Sequence, residues 1–331
     1  MLRPALMITI AAAMLCAGCS GDDGDGSDGG DGSGGGAGDT GLKAALERVA
    51  ATDTTRQYVE YGDVATLTTL AHDGKRFLSL VGYGFSPIAP VAQLMAEELH
   101  FDPAKMDGAL LAGEPPNWSG LLWGDYDVDA LDGALRGRDI PAEDDAGGTR
   151  WTSGKDKEIN LNGPLAGIER TSELNDIHTG SGKFGYAATR AGLAAVTTPG
   201  DDTLADDPTL GRLAGCLGDV AAAVLAAKVD GETTAYAVGV RTTSDGAATE
   251  VACFAPDRDP KGMRDHVAGE LKNGTAPSIR QPWRELLPDA SVDLAALGSV
   301  VRITAKTGDD AAVGRVMQLL QTRDLAALAG G

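Results

Sequence analysis

The sequence predicts an α+β fold: two similar lobes of antiparallel sheet with helices packed on one face. Three observations predict it. Beyond position 42 the apolar residues switch repeatedly between a strand-like period of two and a helix-like period near 3.6. A helix-strand-strand-helix-strand unit can be read twice along the chain. In both copies an apolar strand runs into an acidic residue and then a helix, at residues 120–127 and again at 249–257. Short strands adjacent in sequence pair antiparallel, and helices layered on them give the α+β arrangement.

The elements follow in order. Residues 87–98 read as a helix with Pro87 near its start. Residues 106–112 and 120–126 read as strands joined by a Pro115-Pro116-Asn117 turn. Asp127 can then cap a helix running to about Leu135, with Val128, Leu131, Ala134 and Leu135 inward. A strand is expected at 149–153, and a hairpin from 184–190 and 192–198. In the second lobe, 210–217 is a short helix. Strands are expected at 220–228, 235–241 and 249–254, with a Ser244-Asp245-Gly246 turn between the last two. A helix at 260–271, a strand at 299–305 and a helix at 309–321 complete it, the last with Val313, Val316, Met317 and Leu320 inward. The expected lobes are residues 42–200 and 201–331, a single continuous domain being the alternative.

The front of the chain is an address. Met1 and Arg3 precede an apolar run from Ala5 to Leu15, too short to cross a bilayer, and then Cys16-Ala17-Gly18-Cys19. Small residues directly before a cysteine resemble the lipobox of bacterial lipoproteins. That resemblance implies a signal peptide at 1–18 and a lipid, palmitate among its acyl chains, on Cys19 as the mature N-terminus. Cys16 stands where Leu is commonest in that motif. Residues 20–41 hold eleven Gly and six Asp and no aromatic, Lys or Arg. Such a segment cannot bury enough surface to offset its ordering entropy. Residues 19–41 are therefore expected to be a lipidated cysteine followed by a disordered tether, spanning roughly 25 Å root-mean-square.

Charge narrows the function classes. The chain carries 28 Lys and Arg against 48 Asp and Glu, a net charge of -20. Residues 42–331 keep 27 basic and 42 acidic residues, so the acidity belongs to the folded part as well. Phosphate backbones are held by Lys and Arg, which argues against a nucleic-acid binder. Of four cysteines, Cys16 leaves with the signal and Cys19 is the acyl site. Cys216 and Cys253 remain, an even number in an oxidising compartment, and a disulfide between them is expected.

No motif assigns a chemistry. His178-Thr179-Gly180-Ser181-Gly182-Lys183-Phe184 superficially suggests a phosphate loop, but Ile177 and Phe184 occupy positions that loop needs as Gly and Ser or Thr. A hairpin turn or a flexible loop is the expectation. Asp125, Asp127, Asp129 and Asp132 are dense enough to suggest a cation site. Capping by Asp127 and the dipole preference at Asp129 explain them better. Asp201, Asp202, Asp206 and Asp207 precede another helix and read the same way. His72, His100, His178 and His266 have no zinc spacing. No Gly-x-Ser-x-Gly elbow occurs, leaving only a dispersed Ser-His-Asp site for a hydrolase. Trp118, Trp123 and Trp151 cluster in the first lobe as candidate ligand-binding rings, with core filling as the alternative, and Trp118 in its Pro/Asn turn is the ring expected at the surface.

The segment 99–135, with Phe101-Asp102-Pro103, Met106 to Gly113 and Gly124-Asp125-Tyr126-Asp127, resembles uncharacterised exported lipoproteins of actinobacteria. The resemblance implies location and a fold but no catalytic residue. The expected protein is a lipid-anchored module on the extracytoplasmic face of the cell membrane. It binds a small molecule, glycan or protein in a groove between lobes or acts as an envelope scaffold, with neither cofactor nor metal. An extracytoplasmic hydrolase is the alternative.

Overall fold

The structure, a computed structural model, describes residues 41–169, 171–227 and 234–330. Cys19, Cys16 and the expected signal and tether lie outside the described residues. The first half of the chain forms α1 (Leu42–Leu46), β1 (Tyr58–Gly62), α2 (Val64–Asp73), α3 (Ala92–Leu99), β2 (Gly108–Ala112), β3 (Ser119–Trp123), α4 (Val128–Arg136), β4 (Ala142–Asp145), β5 (Gly148–Thr152), β6 (Asp176–Gly180), β7 (Lys183–Ala187) and α5 (Arg190–Thr197). The second half forms α6 (Pro208–Leu217), β8 (Ala222–Ala226), β9 (Thr234–Thr242), β10 (Ala248–Pro256), α7 (Pro260–Asn273), α8 (Trp283–Leu286), β11 (Ser291–Ala295), β12 (Val300–Thr307), α9 (Arg315–Gln321) and α10 (Asp324–Leu328). The class is α+β.

Among the described residues, twelve strands make one antiparallel sheet in the order β11-β12-β10-β9-β8-β1-β2-β3-β7-β6-β5-β4. Strands of the first half occupy one end and strands of the second half the other. The expected boundary at residue 200 therefore falls between two halves of one sheet. They join where β1 pairs with β8, Glu60 opposite Val224 and Tyr61 opposite Ala223. The strands flagged by their acidic ends, β3 and β10, sit third from this seam on either side. Asp127 caps α4 by accepting from the Ala130 N–H at 2.9 Å. In the second copy it is Asp259, rather than Asp257, that caps α7, through the Gly262 N–H.

Helices on a single face is the expectation that needs correcting. On one face, α1, α5 and α6 cover a core that runs across both halves, from Leu46, Tyr61 and Leu121 to Leu213, Leu225 and Val251. On the opposite face the core is divided. One cluster lies under α3 and α4, with Met95, Phe101, Leu131 and Phe184. The other lies under α7, α8, α9 and α10, with Phe254, Val267, Trp283 and Met317. The physical reason is in the strands themselves. Every residue of β2, β3 and β8 is buried, and a strand apolar on both sides needs cover on both.

Two other expectations change. Residues 192–198 are helical, not the second strand of a hairpin. Thr189 accepts from the Gly192 N–H at 3.0 Å, and Leu193, Val196 and Thr197 fall on one face by helical spacing. The true hairpin is β6–β7, which closes through Ser181-Gly182 with Gly182 at φ +68°. The turn expected at the false phosphate loop is therefore where the chain reverses. Strand β1, absent from the sequence reading, supplies the seam.

Cys216 on α6 and Cys253 on β10 are joined by a disulfide, with Cα atoms 6.3 Å apart. It ties the helix of the fully covered face to the middle of the second half-sheet. Closing a 37-residue separation is worth roughly 4 kcal/mol by loop entropy. Among the described residues no helix is long and apolar enough to cross a membrane.

Candidate functional site

The divided core on the second face leaves a cleft at the seam. Its floor is Tyr58 and Glu60 of β1 with Val224 of β8; one wall is Met317, Leu320 and Gln321 of α9; the other is the stretch from Ser79 to Pro90. The cleft encloses about 300 Å³, at the lower end of the range for small-molecule sites.

Alternation along β1 sends Val59 and Tyr61 into the continuous core and Tyr58 and Glu60 into the cleft. Glu60 is only 8% exposed. The Tyr58 hydroxyl donates to its Oε1 at 2.7 Å, while no hydrogen bond reaches its buried Oε2. Burial pushes the Glu60 carboxyl above the usual range; the Tyr58 hydroxyl, the Ser86 hydroxyl and the Gly84 N–H oppose that more weakly. Burial, reinforced by the Glu60 charge, raises Tyr58 far beyond an ordinary phenol and Tyr83 to about 12. Both tyrosines are neutral donors at any physiological pH.

Two glycines bring the upper wall down onto the sheet. A Cβ on Gly62 would lie 2.2 Å from the Tyr83 carbonyl oxygen. A Cβ on Gly84, which has φ +86°, would lie 2.4 Å from the Ala109 carbonyl oxygen. Backbone therefore rests directly on backbone, and Tyr83 and Ser86 are held over Glu60. The Ser79 hydroxyl donates to the Val313 carbonyl at 2.6 Å, which ties this wall to the segment leading into α9.

The α9 wall is fixed by a second buried acid. Glu250 of β10 is 3% exposed and accepts from the N–H groups of Gly314, Arg315 and Val316 at 2.7, 3.1 and 3.1 Å, and from the Thr307 hydroxyl at 3.2 Å. Its oxygens are fully used in holding the first turn of α9. Glu60 differs from it in having one oxygen without a hydrogen bond, and its side chain is part of the cavity lining.

The tryptophans do not form one site. Trp123 lies in the continuous core, stacked 6.5 Å from Tyr61 with the Arg48 guanidinium 5.0 Å from its ring centroid. Trp151 is fully buried on the opposite face and donates its indole N–H to the Thr179 hydroxyl at 3.1 Å. Both fill core, because β3 and β5 turn these two rings to different sides of the sheet. Trp118 alone lines a cleft, about 380 Å³, with Pro87, Pro115, Pro116, Ala188 and residues 171–173. It is half-buried.

Four of the acidic sequence candidates have structural partners. Asp127 is a cap, and Asp132 accepts from the Thr179 hydroxyl at 2.6 Å. Asp207 accepts from the Thr209 and Leu210 N–H groups, and Asp206 from the Thr203 N–H and hydroxyl. Among the described residues no group of three or more His, Cys, Asp or Glu is placed to hold a metal ion. His266 is exposed on α7. His178 is buried, neither ring nitrogen has a hydrogen-bond partner of ordinary geometry, and burial followed by the Lys183 charge lowers its pKa. Neither histidine hydrogen-bonds a serine or a carboxylate. Beside His178 on the same face, Arg150 pairs with Asp176 at 3.1 Å and Glu143 at 2.8 Å, and Arg190 adds a second cation 3.7 Å from Glu143, which balances the cluster at the end of the sheet.

Glu60 escaped the sequence reading because residues 58–62 are too short to display a period. The available signal was a single acid inside Tyr58-Val59-Glu60-Tyr61, an otherwise apolar run. No protein-family model, curated protein or solved structure matches this chain.

Proposed function

We propose that the chain is a lipid-anchored binding module of the extracytoplasmic face, and that it takes a small ligand into the Glu60 cleft without transforming it. The observation that carries this reading is the Glu60 side chain, deeply buried and yet part of the lining of a cavity at the seam of two half-sheets. Acids are rarely buried, and a polar group set in a concave, partly apolar lining is the kind of group that orients a ligand. Among the described residues neither histidine nor lysine lines the cleft to activate Ser79 or Ser86, which favours binding over nucleophilic chemistry. The lipobox and the acidic, Gly-rich tether support attachment through Cys19. An acidic fold is repelled by anionic headgroups, so the lipid and not charge would hold it there.

Two experiments test the reading. Native mass spectrometry of the lipoprotein extracted from its own envelope should show a retained small molecule that is missing from Leu320→Trp, in which an indole fills the cleft. Identical spectra for the two chains would refute binding at this place. Incorporation of a labelled fatty acid should disappear in Cys19→Ala; undiminished labelling would refute the anchor.

A further inference from the structure

The two half-sheets are equivalent strand by strand. The facing pair Glu60 and Val224 at the seam begins a row of facing residues that runs outward both ways. In the first half it passes through Leu111 of β2, Gly120 of β3, Tyr186 of β7 and Ile177 of β6. In the second it passes through Val238 of β9, Ala252 of β10, Ile303 of β12 and Val292 of β11. Every step is antiparallel. In both halves the chain goes from the third strand of the row to the fifth and then back inward to the fourth. The capping acids agree as well, Asp127 following Gly120 at the interval at which Asp259 follows Ala252. A local two-fold at the seam therefore relates β6 to β11.

The halves differ beyond these strands. Past Ile177 the row continues to Trp151 of β5 and Ala142 of β4. Past Val292, among the described residues, it stops. Ile177 and Thr179 are buried beside β5, while Val292 and Leu294 at the equivalent places are half-buried. The two ends of the sheet also differ in charge. Strand β4 ends in Glu143, Asp144 and Asp145, and like charges along an edge oppose the pairing of two copies. The one charge on β11, Asp293, is met within the chain by the Arg302 guanidinium, whose Nε donates to it at 3.0 Å.

We propose that β11 is an interaction edge whose occupant is β11 of a second copy of this chain, paired antiparallel about a two-fold axis at Asp293. The seam supports a second copy, because there equivalent strands of the repeated unit, β1 and β8, already meet antiparallel. An antiparallel pair of identical edges is also self-complementary, as a closed two-fold dimer requires. With the axis at Asp293, Val292 faces Leu294 of the partner subunit, an apolar pair in the place that Trp151 takes beside Ile177. The two Asp293 carboxylates that meet at the axis each bring their own Arg302. Five residues a side make a small contact, so the association is reversible and depends on concentration.

The test is native mass spectrometry with hydrogen exchange on the full chain, extracted in detergent and measured over a wide concentration range. Expected is a dimer whose share grows with concentration, and amide exchange in 291–295 that slows as it forms while exchange in 142–145 does not change. Leu294→Lys puts like charges across the new pair and should weaken dimerisation about tenfold. The first two readouts use the unaltered chain and decide the matter even if Leu294→Lys folds poorly. A monomer at every concentration overturns the proposal, as does a dimer that leaves 291–295 unchanged or protects 142–145. A folded Leu294→Lys that dimerises undiminished overturns it too. A monomer protected at 291–295 by a different protein overturns the second copy as occupant.

Discussion

Tyr58 and Glu60 lie two residues apart on one strand and are joined by a 2.7 Å hydrogen bond from the phenol to Oε1. A period of two puts both side chains on the same face of the sheet, where the core divides. The bond supports the charged form of Glu60 against its burial. Tyr58→Phe removes the donor and should raise the Glu60 pKa further, with a loss of about 1–3 kcal/mol for the acceptor left unpaired. Carboxyl-carbon NMR titration and urea unfolding measure the two quantities. A Glu60 pKa that stays put or falls in Tyr58→Phe contradicts the assignment.

Glu169 provides a separate pH handle. Burial pushes its carboxyl from an ordinary 4.5 up to about 7, the Leu174 N–H opposing this and Glu173 adding to it. The folded state thus keeps a proton that the unfolded state releases. Stability from this group is complete below about pH 4.5 and declines as pH rises toward 7. Glu169→Gln should flatten that decline. Urea midpoints of the two chains across this window should converge at its acidic end and diverge toward neutrality in favour of the variant; parallel profiles would sink the idea.

Gly62 tests the close approach of the cleft wall. Its Cβ position lies 2.2 Å from a backbone oxygen, which cannot rotate away as a side chain can. Gly62→Ala should cost about 1–3 kcal/mol of stability, as overpacking does. It should also displace Tyr83, read as a change in near-ultraviolet circular dichroism. A substitution without effect on either would show that the loop does not rest on the sheet.

Glu250→Ala leaves the Gly314, Arg315 and Val316 N–H groups without their acceptor. A loss of about 2–3 kcal/mol is expected, since hydrogen bonds to charged groups are the strong ones. Because α9 is a wall of the cleft, hydrogen exchange of residues 315–321 should speed up more than that of β1. Uniform acceleration across the fold would argue against a local role.

The disulfide is testable without a ligand. Cys216→Ala with Cys253→Ala should lower unfolding free energy by roughly 4 kcal/mol, less whatever the native geometry costs. The doubly substituted chain should respond identically with and without reductant. A wild-type protein whose thiols alkylate fully in the native state would contradict the pairing.

Much of the fold could be read from local pattern. Asp127 and the Leu131/Leu135 stripe specify α4 within a few residues, and Asp207, Pro208 and the following apolar spacing specify α6. β9, β10 and β12 are long enough to show strand composition. Residues 192–198 misled because Leu193, Ala195, Val196 and Thr197 are compatible with either period over so few positions. The cap at Thr189 and the burial of the helix against β3 and β7 decided for helix. β1 was invisible for the same reason, and with it Glu60.

Sequence by itself determined what is local or covalent. The lipobox resemblance at Cys19, the charge balance, the caps, the turn at Gly182 and the candidate pair Cys216 and Cys253 all follow from residue type at fixed spacing. Tertiary structure decided what depends on strands meeting far from their sequence neighbours. It put β1 beside β8, made two expected lobes the halves of one sheet, covered both faces because the central strands are apolar throughout, and sent Trp123 and Trp151 to opposite sides. It also put the Glu60 side chain into the lining of a cavity between segments more than 200 residues apart, from Glu60 to Met317. No local pattern encodes such a site, because its energy comes from desolvating Glu60 among residues that only the assembled sheet brings together.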